Sequence, residues 1–359
     1  MLNLSQNGCS VWVASSTEGL LTPTAVALGK FDGVHLGHQR VIQPVLQAGS
    51  QLSVVSSPQP NENQQLTNQQ YTYSTVVTFD PHPHEFFTGQ PRTLLTPLDE
   101  KVQQLRSLGV EQLVLLPFDK ELSALNPEEF VEKILVQQLQ CQRISIGEDF
   151  CFGKKRSGTA KDLQLLAAKY NIPVTIVPLQ TYTGDSPTES SCSGSIPTQD
   201  ARISTSLIRQ TLEEGDIKNA NLLLGRPYTL LGVVVQGQQL GRTIGFPTAN
   251  LQLPKEKFLP RQGVYAVRVY LLGETPDVSP TEILGVMNIG NRPTVNGAAA
   301  SVEVHLLDWS GDLYGKKLAV ELVKFLRPEQ KFPSLEALKA QIQLDSIVAR
   351  EVLSAEWEQ

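Results

Sequence analysis

The sequence contains only four cysteines among its 359 residues, and they form no C-x-x-C pair and no regular framework. They are Cys9, Cys141, Cys151 and Cys192. Secreted domains held by disulfides and cysteine-based zinc sites need closer and more regular spacings. The cysteines therefore predict reduced thiols in a cytoplasmic protein.

The sequence also lacks long apolar runs and early positive charge. No run approaches the ~18 apolar residues of a membrane span. The first Lys or Arg is Lys30, and the apolar stretch 11–14 is too short for the core of a signal peptide. The net charge of −6 argues against a nucleic-acid-binding surface. We expect a soluble cytoplasmic protein that binds neither membrane nor nucleic acid and works as a monomer or weak homo-oligomer.

No Gly-Lys-Ser/Thr occurs, which excludes a P-loop. The chain does contain a clear strand-to-helix junction at Gly29–His38, between the apolar run 25–28 and a helix-like pattern from His38. His35 and His38 are three residues apart, so in a helix they share a face of the first turn. Because a helix N-terminus attracts anions, the segment predicts a nucleotide-phosphate site. The alternative is a glycine-rich turn with two exposed histidines.

Strand-like and helix-like segments alternate through the first half of the chain. This pattern predicts a parallel sheet with helices on both faces. Three polar segments each follow a predicted strand: Gly29–His38, Asp80–His84 and Glu148–Gly153. Since ligands of such sheets bind beyond the carboxyl ends of the strands, we expect the three segments to meet at one edge.

Hydroxyl groups and an arginine open a further predicted helix at Ser204–Arg209. Ser or Thr at this position is typical of an ordinary helix cap. The functional alternative is a second phosphate clamp that faces the two histidines.

The pattern changes beyond Leu224 to short β-rich runs separated by turns. Their spacing predicts a small closed antiparallel barrel. A final helix is predicted over residues 334–357, with Leu335, Leu338, Ile342, Ile347 and Val348 as its buried face. We therefore divide the chain into domains 1–220 and 221–359, and we interpret the polar stretches 48–73 and 181–200 as surface loops.

The densest polar segment of the second domain is 241–250. Thr248 and Asn250 are two residues apart, so they project to the same side of an extended segment. A hydroxyl and an amide oxygen are hard ligands suited to Mg²⁺. Glu303 shares a strand face with His305 and could take a proton beside a metal–nucleotide site. The alternative is a strand with one solvated polar face.

These segments together resemble the prokaryotic bifunctional riboflavin kinase/FAD synthetase family. The first half is similar to its adenylyltransferase domain at Gly29–His38, Thr78–Pro83, Gly147–Gly153 and Ile203–Arg209. The second half is similar to its kinase domain at Gly241–Asn250, Met287–Thr294 and Glu303–Asp308. The resemblance implies a Rossmann-like nucleotidyltransferase domain followed by a β-barrel kinase domain with a terminal helix. It implies two reactions: riboflavin and ATP give FMN, and FMN and ATP give FAD and pyrophosphate.

The resemblance also implies roles for individual residues. His35, His38 and Glu303 would be catalytic. In the adenylyltransferase half the resemblance assigns ATP phosphates to Gly29, Phe31, Asp32, Gly37, Ser204, Thr205 and Arg209, and FMN or ATP contacts to His82 and Asp149. In the kinase half it assigns ATP to Gly241, Thr243, Gly245 and Pro247, and Mg²⁺ to Thr248 and Asn250.

Two alternatives to the two-step enzyme remain at this point. One is a protein with a single active half, since Ser204-Thr205-Ser206 stands where the family usually has Ser-Ser-Thr. The other is a flavin- or nucleotide-binding regulatory module without chemistry.

Overall fold

A computed structural model describes residues 2–3, 11–49, 71–181, 202–237, 241, 244–272, 281–294 and 297–355. Packing divides the chain into a first unit, Met1–Arg92 with Leu98–Thr181, and a second unit, Thr93–Pro97 with Tyr182–Gln359. Residues 202–220 thus pack in the second unit, and the functional boundary at residue 220 stays a prediction. Most of the predicted surface loops 48–73 and 181–200 lies outside the described residues.

The described residues of the first unit form nine strands and several helices. The strands are β1 (Leu2–Asn3), β2 (Trp12–Ala14), β3 (Thr24–Leu28), β4 (Tyr73–Asp80), β5 (Gln112–Pro117), β6 (Cys141–Gly147), β7 (Cys151–Phe152), β8 (Gly158–Thr159) and β9 (Val174–Val177). The helices are α1 (Leu36–Gly49), α2 (Pro83–Thr88), α3 (Leu98–Ser107), α4 (Lys120–Ala124), α5 (Pro127–Glu129) with the π-helix Phe130–Gln138, the 3₁₀ turn Lys154–Arg156, and α6 (Ala160–Ala168).

Seven of these strands form one sheet in the order β1-β2-β5-β4-β3-β6-β9. Six are parallel, and only β1 pairs antiparallel. The predicted parallel sheet is confirmed. Strand β3 lies inside the sheet between β4 and β6 and is buried on both faces: Val26 and Leu28 pack into one apolar cluster, Ala25 and Ala27 into the other. This explains its uninterrupted apolar sequence, since strands of parallel sheets are covered by helices on both sides.

In the described part of the second unit, two helices precede a barrel and a third follows it. These helices are α7 (Thr205–Glu214), α8 (Ile217–Leu224) and α9 (Leu335–Ala355). Its strands are β10 (Tyr228–Val235), β11 (Ala249–Gln252), β12 (Gly263–Leu272), β13 (Glu282–Thr294), β14 (Gly297–Leu306) and β15 (Lys317–Arg327). Across the described ranges, no helix combines the length and apolar character needed to cross a bilayer.

The six strands close in the order β10-β11-β14-β13-β12-β15, and every pair is antiparallel. The predicted barrel is confirmed. The sequence analysis did not recognise β11 as a strand, because four residues with a polar Asn250 form too short a β pattern. Along β14, Val302 and Val304 are buried, whereas Glu303 and His305 are half-buried on the other face.

The terminal helix forms as predicted, but its predicted buried face is wrong at two of five positions. Leu335 and Ile347 are 51% and 52% exposed, and the other three predicted residues are half-buried. Ala349 and Leu353 are fully buried against the barrel. The helix also buries Asp345, whose carboxylate accepts hydrogen bonds from Arg327 Nε at 3.0 and 3.1 Å and from Nη2 at 2.7 Å. The side of the helix that faces the barrel thus carries a buried ion pair, whereas a count of apolar residues predicts Ile347 on that side.

Candidate active sites

The two histidines of the first unit lie at the start of α1. His35 immediately precedes the helix, and its Nδ1 accepts a hydrogen bond of 3.3 Å from the backbone N–H of His38. The two rings are stacked, with centroids 3.6 Å apart. His35 is therefore the residue that caps α1. The spacing alone had indicated that it belongs to the first helical turn. Since Nδ1 accepts, the ring hydrogen of neutral His35 is on Nε2, which can donate to an anion.

The loop before α1 adopts an unusual backbone. Phe31 and Val34 have φ angles of 46° and 42°, and Gly33 has 89°. Left-handed conformations cost energy for residues with a Cβ, above all a β-branched one, and persist only where surrounding packing holds them. Here both side chains are buried in one cluster, so the core holds the loop in this shape.

Hydrogen bonds tie this loop to the neighbouring strand. The N–H of Gly29 donates to the Val77 carbonyl at 3.1 Å, and Thr78 Oγ1 donates to the Lys30 carbonyl at 2.9 Å. Gly37 lies in the first turn of α1. The first two predicted segments therefore meet at the carboxyl edge of the sheet, as the parallel topology requires.

Charged groups from three segments surround this edge. Burial and the positive charges of Arg156 and Arg92 lower the pKa of Lys30, and Asp149 raises it in part. Burial, followed by Lys30 and Arg92, lowers the pKa of His82 from its ordinary 6.5 to about 4. His82 is neutral at pH 7, and its Nδ1 caps α2 by accepting the His84 N–H at 3.0 Å. The structure thus places Lys30, His82 and Asp149 in one charged region whose cations suit phosphate.

An aromatic cluster that the sequence analysis missed lies at the same edge. Phe79 near the end of β4 and Phe118 directly after β5 have ring centroids 5.7 Å apart. Phe86 and Phe87 of α2 pack edge-on against Phe118 at 5.3 and 5.8 Å. Phe87 is 70% exposed. The sequence signal that could have found this cluster is the position of Phe79 and Phe118 at the carboxyl ends of adjacent parallel strands.

The predicted second phosphate clamp belongs to the second unit. Ser204 caps α7, with its Oγ accepting the Leu207 N–H at 3.2 Å, and Thr205 is the first residue of that helix. The guanidinium of Arg209 donates to Thr93 Oγ1 at 3.2 Å and to the Thr93 carbonyl, and it lies 4.7 Å from the Phe258 ring centroid. The cap is observed, and the phosphate role stays a prediction.

The polar residues of the barrel meet on its outer face. Asn250 of β11 lies directly opposite Glu303 of β14. Thr248, just before β11, has its Oγ1 3.4 Å from Glu303 Oε2. On the other side of Glu303, Asn288 of β13 is its direct partner and donates from Nδ2 to Glu329 Oε1 at 3.1 Å. A hydroxyl, an amide and a carboxylate thus converge, and Asn288 is an addition that the sequence analysis did not assign.

Gly241 and Phe246 come together just before β11. The N–H of Phe246 donates to the Gly241 carbonyl at 2.8 Å, and a Cβ at position 241 would collide with the Phe246 carbonyl oxygen. Gly245 has a φ of 89°. The Pro247 carbonyl accepts a 2.8 Å hydrogen bond from His305 Nδ1. Thr243 lies outside the described residues, and the ATP contacts of this segment stay predictions.

Metal ligation can be judged from the donor types. Within the described ranges, no group of three or more His, Cys, Asp or Glu side chains could hold a metal ion. The Thr248, Asn250 and Glu303 oxygens form a different donor set, of the hard type that suits Mg²⁺ completed by phosphate and water.

Two family models match the chain. The riboflavin kinase model matches residues 224–353, which contain the barrel, and the FAD synthetase model matches residues 18–191, which contain five of the six parallel strands. Three relatives described as bifunctional riboflavin kinase/FMN adenylyltransferase illustrate the sequence similarity. The protein from Escherichia coli (strain K12) is 38% identical over 91% of each chain, that from Listeria monocytogenes 36% over 89% of each, and that from Bacillus subtilis (strain 168) 34% over 90% of each.

A solved structure is similar over both units. It is described as a macrolide-efflux protein from Streptococcus pneumoniae, is 28% identical, and superposes with a TM-score of 0.74 over 95% of this chain and 98% of its own. The likeness supports the fold along the whole chain.

Proposed function

This chain belongs to the bifunctional riboflavin kinase/FMN adenylyltransferase family, and we propose that its two candidate sites divide the two reactions between them. It is an enzyme of flavin cofactor synthesis. It transfers a phosphoryl group from ATP to riboflavin, giving FMN and ADP, and then an adenylyl group from a second ATP to FMN, giving FAD and pyrophosphate. The barrel carries the first reaction and the parallel-sheet domain the second.

In the kinase reaction Glu303 is the general base. The riboflavin 5′-hydroxyl attacks the γ-phosphorus of ATP, its proton passes to the Glu303 carboxylate, and ADP leaves. Proton removal by a positioned carboxylate contributes typically ~10²–10⁴ in rate. The observation that carries this proposal is the pairing of Asn250 with Glu303, which places the base beside the metal-type donors.

Mg²⁺ is the metal we propose for this site. Thr248 and Asn250 would hold the ion through neutral oxygens. The nearby Glu303 carboxylate is also a hard oxygen donor, of the type that Mg²⁺ prefers. When bound, the ion neutralises charge on the phosphates. Gly241, Thr243, Gly245 and Pro247 would lie against ATP, where small or backbone-only surfaces permit close approach.

In the adenylyl transfer the histidines stabilise developing charge. A phosphate oxygen of FMN attacks the α-phosphorus of ATP, and pyrophosphate leaves. His35 and His38 donate hydrogen bonds to the phosphates from a helix N-terminus, which is an electrostatic contribution made in the transition state. Gly29, Phe31, Asp32 and Gly37 shape the phosphate loop, and the family resemblance also assigns ATP phosphates to Ser204, Thr205 and Arg209.

The aromatic cluster is our proposed flavin surface. An isoalloxazine ring has a flat aromatic face, and the exposed ring of Phe87 beside Phe118 offers a surface for stacking. His82 and Asp149 lie in the charged region at the same edge, where they could contact FMN or ATP.

One assay tests the whole assignment. The protein is incubated with riboflavin, ATP and Mg²⁺, and the flavins are resolved by chromatography. FAD is the expected product. FMN alone would mean that only the barrel is active, and unchanged riboflavin would mean a binding module without chemistry.

We also propose a cytoplasmic location, no nucleic-acid partner, and a monomer or weak homo-oligomer. The support is the net charge of −6, the cysteine spacing and the small size of the substrates. Light scattering across protein concentrations tests the oligomeric state.

A further inference from the structure

A lysine is buried in the first unit with no role assigned so far. Lys101 lies in the second turn of α3 and is only 8% exposed. Lysine is almost never buried without a partner, because removing an ammonium from water is costly. The site near the N-terminal end of a helix adds a further cost, since the helix dipole is positive there. A negatively charged group in the fold must therefore offset both the desolvation cost and the helix-dipole cost.

Helix α3 and the predicted phosphate loop share one hydrophobic core. Val102 and Leu105 of the helix belong to the same apolar cluster as Phe31 and Val34, two residues of the loop that have a left-handed backbone. Asp32 lies between them in sequence and is only 6% exposed. A buried carboxylate in the loop and a buried ammonium in the helix therefore belong to two elements of the same core.

The charges on the two elements attract each other. Burial lowers the pKa of Lys101, and the carboxylates of Asp32 and Asp80 oppose that effect. Asp80 is the exposed last residue of β4, so of these two carboxylates only Asp32 is buried. The other charged groups around these residues are Glu100, which precedes Lys101 on α3 and is buried, and His82, which feels the Asp32 charge and is neutral at pH 7.

We propose that Lys101 is a positioning residue for adenylyl transfer: its ammonium balances the buried Asp32 carboxylate and so holds the Gly29–His38 loop in its phosphate-binding shape. This rests on the proposed function of that loop. Breaking one partner of a buried ion pair leaves the other charge uncompensated, which is more disruptive than losing a surface pair. The loop would then relax and misplace its phosphate donors and His35.

The test compares Lys101→Met with Lys101→Arg in the full chain. Methionine keeps the length and bulk of the side chain without its charge, and arginine keeps the charge. With FMN and ATP supplied, we expect Lys101→Met to lower kcat/KM for adenylyl transfer by about 10²-fold, the scale of a misplaced binding loop. Lys101→Arg should recover most of this loss. Riboflavin phosphorylation by the same preparation should not change and serves as the control for folding.

Two results would overturn the proposal: wild-type adenylyl transfer in Lys101→Met, or Lys101→Arg performing no better than Lys101→Met. Wild-type protein that failed to make FAD would instead contradict the proposed function. If Lys101→Met loses both reactions because it does not fold, the double variant Lys101→Met/Asp32→Asn decides. Removing both charges should restore folding and the kinase reaction, while Lys101→Met/Asp80→Asn should not. Failure of the first double variant to recover would refute the pairing.

Discussion

Asn250 on β11 lies directly across the barrel ladder from Glu303 on β14. The two residues are far apart in the sequence, and the pairing of β11 with β14 brings the amide next to the carboxylate. Their register places a candidate base and a candidate metal ligand on one outer surface, together with Thr248. The loop with His35 and His38 belongs to the first unit, whereas Asn250 and Glu303 belong to the second, so the two reactions should respond separately to substitution.

Substituting Asn250→Ala should stop FMN formation from riboflavin and leave FAD formation intact when FMN is supplied. Alanine removes the amide oxygen beside Glu303, and the adenylyl-transfer residues are untouched. Chromatographic flavin assays with each substrate separately measure both steps.

The reciprocal substitution, His38→Ala, should let FMN accumulate while FAD formation fails. Losing the ring removes a donor at the helix N-terminus and the stacking partner of His35. Loss of both reactions in folded protein, for this variant or for Asn250→Ala, would contradict two independent sites.

Replacing Glu303 by Gln should lower the kinase rate by about 10²–10⁴-fold, because the amide cannot accept the proton of the 5′-hydroxyl. Glu321→Gln is the matched control, since Glu321 is also a half-buried carboxylate of the barrel, on β15. Equal rates in Glu303→Gln and the wild type would remove Glu303 from the mechanism. Single-turnover phosphorylation separates the chemical step from product release.

His82→Asn should reduce the pH dependence of stability. Folded His82 has a pKa of about 4 and an ordinary value of 6.5. Between these values the unfolded chain binds more protons, so the free energy of unfolding decreases as pH falls from about 6.5 to about 4. Asparagine can still accept the His84 N–H but does not titrate. Urea denaturation at about pH 5 and about pH 7 should show a smaller difference for the variant, and an unchanged difference would count against this assignment.

Phe87→Ala should raise KM for FMN about two- to ten-fold, as expected if one aromatic contact of about 0.5–1.5 kcal/mol is lost. Leu165→Ala offers a matched control, because Leu165 is an equally exposed apolar residue of the first unit at 69%. KM for riboflavin phosphorylation should be the same in both variants. If Leu165→Ala had the same effect on FMN, the aromatic cluster would not be a specific flavin surface.

The strands of the first unit could be predicted because burial leaves a local signature. The run 25–28 is apolar since both faces of β3 are covered, and the polar segments after β3, β4 and β6 meet because those strands are parallel neighbours. The buried face of α9 could not be predicted in the same way. Asp345 is buried by its ion pair with Arg327, and a count of apolar residues has no means of including that pair.

The candidate sites also contain some features that the sequence predicts and others that only the structure shows. Spacing drew attention to His35 and His38, but only the structure shows that His35 caps the helix. The aromatic cluster combines residues from α2 and from the ends of two strands, so no short window of sequence contains it.

By itself, the sequence determined that a wound parallel sheet is followed by a small barrel and a terminal helix, because hydrophobic periodicity and turn residues are local properties of the chain. It also determined which motifs carry polar chemistry. The tertiary structure alone decided which residues meet: Asn250 with Glu303, and Phe87 with Phe118. It also buries Lys101 on a helix that shares its core with the loop around Asp32. The physical reason is that such contacts depend on strand register and helix rotation, which are settled by packing between distant segments.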